Sequence, residues 1–123
     1  MVLVSENASL IREVDLNISI IEIINDLQTV GVNCAAYVDL GKDIPTDIAL
    51  KLIDFYEYVV ENSFDGLSSL LVRFFFRDGH FYSCIDTVCS LDLTKLGTEQ
   101  ISVYESDENC YTLSVKVKGD DVR

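Results

Sequence analysis

The sequence predicts an α+β fold, a two-layer α/β sandwich with helices packed on one face of a mixed, largely antiparallel sheet. Two segments of helical periodicity lie in the first half, and four strand-like segments crowd the second. An Asp-Gly pair between two of those strand-like runs specifies a tight hairpin.

Residues 9 to 29 place Leu10, Val14, Ile18 or Ile21, Ile24 and Leu27 at spacings of three and four, the pattern of an amphipathic helix. Ser9 is its candidate N-cap, and Gly31 stands just past its end. The added Ile11, Ile20 and Ile23 widen the apolar arc beyond what one sheet face needs. They mark either a contact with a partner subunit or a deeply buried helix.

Cys34 to Val38 is a short apolar strand, and the polar connection Asp39 to Asp43 follows it. Pro45, Thr46 and Asp47 suit a helix opening, because proline tolerates the first turn and short oxygen-bearing side chains satisfy free amides. The second helix is expected over residues 46 to 63. Ile48, Leu52, Phe55, Val59 and Val60 form its apolar side, and Lys51, Asp54, Glu57 and Glu61 its polar side.

With Asp78-Gly79 as a two-residue loop, Arg77 faces His80, Phe76 faces Phe81, Phe74 faces Ser83 and Val72 faces Ile85. Val72, Phe74, Phe76, Phe81 and Ile85 then share one apolar face that meets the helices. The other face collects Arg73, Phe75, Arg77, His80, Tyr82, Cys84 and Asp86, where Phe75 and Tyr82 offer support for a protein partner. A second hairpin is expected from Ile101–Tyr104, a polar turn over 105–109 and Cys110–Lys118, with residues 119–123 as a tail.

A chain of 123 residues supports one core, so residues 1–123 read as a single domain. Its formal charge of -12 opposes nucleic acid and anionic membranes alike. The 49% hydrophobic content separates it from acidic disordered segments. Neither a membrane-spanning run nor a leader pattern is visible, which points to a cytoplasmic location.

Cys34, Cys84, Cys89 and Cys110 read as free thiols in apolar or strand-like settings. His80 is the single histidine, and neither it nor the cysteines fall at the spacing of a zinc site. The six glycines are scattered singly, so no phosphate-cradling loop is encoded. No cofactor and no enzymatic activity are expected.

The stretch IPTDIALKLIDFYEYVVENSFDG followed by SSLLVRFFFRDGHFYSCIDT resembles the GHKL-type ATP-binding domain of bacterial sensor histidine kinases. The closing ISVYESDENCYTLSVKVKGD resembles that domain's final hairpin. The resemblance implies that Asn62, with Glu57 or Glu61, stands where the family holds magnesium. It implies equally that Asp86 stands where the family meets the adenine amino group. The glycine boxes are missing, and the thirteen residues from Val88 to Gln100 replace the family's lid, with Gly97 alone among them. No histidine lies near the first helix to accept a phosphoryl group.

The resemblance therefore implies a non-catalytic regulatory or signalling domain acting through a protein partner or self-association. Two alternatives stand beside it: a residual magnesium-nucleotide-binding module, and an unrelated small α/β interaction domain.

Overall fold

The computed structural model describes residues 10–119. In chain order these are β1 (Leu10–Ile11), α1 (Glu13–Thr29), β2 (Asn33–Asp39), β3 (Ile44–Pro45) and α2 (Thr46–Ser63), followed by a 3-10 turn at Phe64–Gly66. Then come β4 (Leu67–Arg77), β5 (His80–Cys89), a second 3-10 turn at Leu93–Leu96, β6 (Ser102–Asp107) and β7 (Cys110–Lys118). Five strands form one sheet in the order β2-β4-β5-β7-β6. Only the β2–β4 pair is parallel, and both helices lie on one face. This is the expected α+β sandwich.

The first helix begins at Glu13, later than its periodicity suggests, because Leu10 and Ile11 pair with Pro45 and Ile44 as a two-stranded ribbon. The candidate cap Ser9 lies outside the described residues. Arg12 occupies the cap position and ion-pairs with Asp15 at 3.0 Å, while the Glu13 carboxylate accepts from the amides of Leu40 and Gly41. Acidic groups at this end complement the positive pole of the helix. The other end closes as expected: Gly31 adopts φ 93°, and the amides of Gly31 and Val32 turn back to the carbonyls of Gln28 and Leu27.

The hairpin register is the one that Asp78-Gly79 dictates: Arg77 faces His80, Phe76 faces Phe81, Phe74 faces Ser83 and Val72 faces Ile85. Asp78 at φ 53° and Gly79 at φ 82° both sit in the left-handed region that a type I′ turn requires. β4 starts at Leu67, three residues before Leu70, with an irregularity between Leu67 and Ser69. In the second hairpin β6 extends to Asp107, and the turn tightens onto Glu108-Asn109. Gly119, counted with the tail, donates its amide to the Gly79 carbonyl at 2.7 Å; residues 120–123 lie outside the described part.

The core forms where the sheet meets the helices. Val72, Phe74, Phe81, Ile85 and Leu113 face Leu16, Ile20 and Ile24 of α1 and Ile48, Leu52, Tyr56 and Val59 of α2, all buried. Ile20 is fully buried, Ile11 nearly so, and Ile23 is partly buried against the core. The wide apolar arc of α1 is thus mostly core, and its solvent-facing apolar residues are Val14, Ile18 and Ile21.

All four cysteines are free thiols, and Cys34 and Cys89 are buried. Burial pushes the Cys34 thiol up from its ordinary 9.0. Its stabilising contribution is therefore complete below the unfolded value and is lost as pH rises through the folded one. At pH 8, alkylation followed by mass spectrometry should find Cys34 and Cys89 modified at least ~100-fold more slowly in the native chain than in urea. Equal rates in the two states would contradict this packing.

Candidate functional site

The sequence nominates the end of α2, and the structure separates the residues nominated there. Asn62 is exposed, and its side-chain amide donates to the Tyr58 carbonyl of its own helix at 2.8 Å. Glu57 and Glu61, one turn apart, stand on the flank of α2 that faces α1. With Ile23, Asp26, Leu27, Tyr56 and Val60 they line an open groove of about 240 Å³. Its charged lining groups are three carboxylates, a setting that repels a polyphosphate.

Asp86 lies across the sheet from all of these. Its Oδ2 accepts from Arg73 Nη2 at 3.1 Å and its Oδ1 from the Thr112 hydroxyl at 2.7 Å, on the face away from the helices. The reason is the two-residue period of a strand. Ile85 and Thr87 point into the core, so Asp86 between them points out.

The space beside α2 toward its C-terminus is taken by the segment after β5. The backbone of Ser90 donates to Gly66 and the Cys89 thiol to the Ser63 carbonyl. Asp92 then caps the short turn through the Thr94 amide and hydroxyl, at 3.0 and 2.6 Å. These bonds hold the Asp92 carboxyl below its ordinary value.

The capped turn carries Leu93 and Leu96 into the core, and Tyr58 reaches the Leu96 carbonyl with its hydroxyl at 3.4 Å. The Thr98 hydroxyl accepts from the amides of Gln100 and Ile101 and fixes the exit. The stretch is tied down at both ends and buries Leu93 and Leu96, while the residues around them are exposed. In the sequence, Asp92-Leu93-Thr94 with Leu96 carries the signal of a capped turn with an apolar side.

The outer sheet face brings together the other predicted pair. Phe75 and Tyr82 stack with centroids 4.9 Å apart and planes 10° from parallel, and the Arg77 guanidinium lies 5.3 Å above Phe75. Shallow clefts flank the stack: one of about 370 Å³ with Tyr37, Asp39, Arg73 and Arg77, another of about 400 Å³ with Tyr82, Gln100, Ser102 and Lys116. Arg73 Nε is buried there and accepted by no other described atom. Cys84 shares this face, and burial pushes its thiol up although Arg73 and Arg77 pull it down. Among the described residues, no three His, Cys, Asp or Glu side chains are grouped to hold a metal ion.

No family model matches this chain, and no curated protein matches it in sequence. Solved structures do match in shape. The histidine kinase AdeS of Acinetobacter baumannii superimposes with a TM-score of 0.67 at 7% identity, over 90% of this chain and 66% of that one. This chain thus spans just under two thirds of that chain's length. The catalytic domain of histidine kinase ThkA, in a nucleotide-free form, superimposes with a TM-score of 0.60 at 6% identity, over 89% of this chain and 95% of that one. At such identity the likeness is one of architecture, and the chain has the fold of histidine-kinase ATP-binding domains.

Proposed function

We propose that this chain is a non-catalytic regulatory or signalling domain, located in the cytoplasm, that uses the histidine-kinase ATP-binding fold to make protein contacts. The observation that carries the reading is the burial of Leu93 and Leu96, which lie beside α2 where the resemblance would seat a nucleotide. Asp86, engaged with Arg73 and Thr112 on the opposite face, supports it. Phosphoryl transfer depends on positioned backbone donors, cations and metal around a triphosphate. The α2 end offers exposed Glu57, Glu61 and Asn62 instead. Protein contact falls most naturally to the outer sheet face, where the Phe75–Tyr82 stack is framed by Arg73, Arg77 and Lys116.

Isothermal titration of the full chain with Mg-ATP tests the reading. No heat of binding is expected up to millimolar nucleotide, whereas a saturable isotherm would favour the residual nucleotide-binding module. Asn62→Ala should change stability by no more than ~0.5 kcal/mol, because the amide bonds only to its own helix at the surface. A loss above ~1 kcal/mol in urea denaturation would show that Asn62 has a structural role beyond that bond.

A further inference from the structure

α1 carries a second apolar stripe that the core does not use. Leu16, Ile20, Ile24 and Leu27 form its buried side. Val14, Ile18 and Ile21, spaced by four and three, stand elsewhere on the helix and are 53%, 51% and 45% exposed. The flank facing α2 is marked by Ile23, Asp26 and Leu27, which share a groove with Tyr56, Glu57 and Val60. The flank facing β2 is marked by Gln28, whose amide donates to the Cys34 carbonyl at 3.0 Å. Val14, Ile21 and Gln28 follow one another at seven-residue intervals and so lie along one line of the helix. Val14 and Ile21 therefore lie toward the β2 side, away from α2, with Ile18 next to them on the outer face of the helix.

β2 ends the sheet, and among the described residues only β4 pairs with it. Natural edges are blunted by charge, proline or bulges. The far edge obeys that rule, since β6 carries Glu105 and Asp107 and a register shift between them. β2, Asn33-Cys34-Ala35-Ala36-Tyr37-Val38-Asp39, has no lysine or proline, no register irregularity with β4 and a single charge at its last position, and Gln28 engages its Cys34 carbonyl at one end.

We propose that a second copy of this chain pairs its β2 antiparallel to this edge, with the two-fold axis at Ala36. The sheet then continues from one protomer into the other, and the two Val14–Ile18–Ile21 stripes pack together above the junction. Charge and size favour a second copy as the occupant. On a chain of charge -12 most faces repel a like copy, yet this register sets no acid against an acid. Asn33 meets Asp39 of the partner subunit, the small Ala35 meets the large Tyr37 of the partner subunit, and Cys34 meets Val38 of the partner subunit. The interface is isologous and closes at two. Pairing through β6 would gather Glu105 and Asp107 of both copies along one seam.

Light scattering on the full chain, combined with amide hydrogen exchange, tests this. At tens of micromolar the mass should be twice the 13.8 kDa of one chain, with the Ala36 amide protected in a concentration-dependent way. Ile18→Glu with Ile21→Glu should raise the dissociation constant more than ~100-fold with an unchanged circular dichroism spectrum. Ala35→Lys, which leaves the helix intact, should also yield monomer, while Lys51→Glu on the exposed side of α2 should leave the dimer intact. A mass of 13.8 kDa up to millimolar protein, or a dimer that survives both α1 and β2 substitutions, would overturn the proposal. The nucleotide titration and this measurement read different surfaces, so either can fail alone.

Discussion

Phe81→Ala should lower the free energy of unfolding by about 3–5 kcal/mol. Phe81 belongs to the core between the sheet and the helices. Its ring is buried, lies 4.7 Å from that of Phe76 across the β4–β5 ladder, and pairs in register with Val117 of β7. Truncation leaves a cavity that the surrounding strands cannot close, because their register is held on both sides by β4 and β7. The urea midpoint should fall sharply with little change in slope. A loss under ~1 kcal/mol would mean that the sheet relaxes around the gap and that the packing described above is loose.

Leu93→Ala should cost about 2–5 kcal/mol, an unusual penalty for a residue between strands. Loops generally run over the surface and tolerate substitution. Leu93 is instead fully buried within a capped turn whose neighbours bond to α2 and to Gly66. Leu91, two residues earlier and 38% exposed, is the internal control, and its replacement by alanine should stay within ~0.5 kcal/mol. Were the two substitutions equal in effect, the stretch would be an ordinary loop. The space it fills would then be available to a ligand.

These residues also show what a sequence makes legible. The β4–β5 hairpin could be read to the residue, because Asp78-Gly79 sets turn type, turn type sets register and register assigns every side chain to a face. The same register placed Asp86 outside, beside Arg73, whereas the family resemblance placed it in an adenine pocket. The strand period accounts for the outward face, since Ile85 and Thr87 on either side of Asp86 are buried in the core.

The start of α1 was illegible for a different reason. Leu10 and Ile11 continue the helical period, but their partners Ile44 and Pro45 lie more than thirty residues away, and no local pattern reports such pairing. Ile11 and Ile20 looked surplus to one sheet face because the wall formed by α2 and β3 on the same side of the core could not be counted from periodicity alone. The turn at Leu93 is written in a short capping signal, Asp92 two residues before Thr94, rather than in any glycine pattern.

The most direct test follows the backbone amides and the Asn62 side-chain amide of isotopically labelled protein by NMR while Mg-ATP is added to millimolar concentration. If the buried Leu93 and Leu96 beside α2 leave no nucleotide site, the resonances of residues 57–66 and 88–100 stay in place. Saturable shifts confined to those two segments would show a nucleotide bound between them and would contradict the non-catalytic, contact-making domain proposed here.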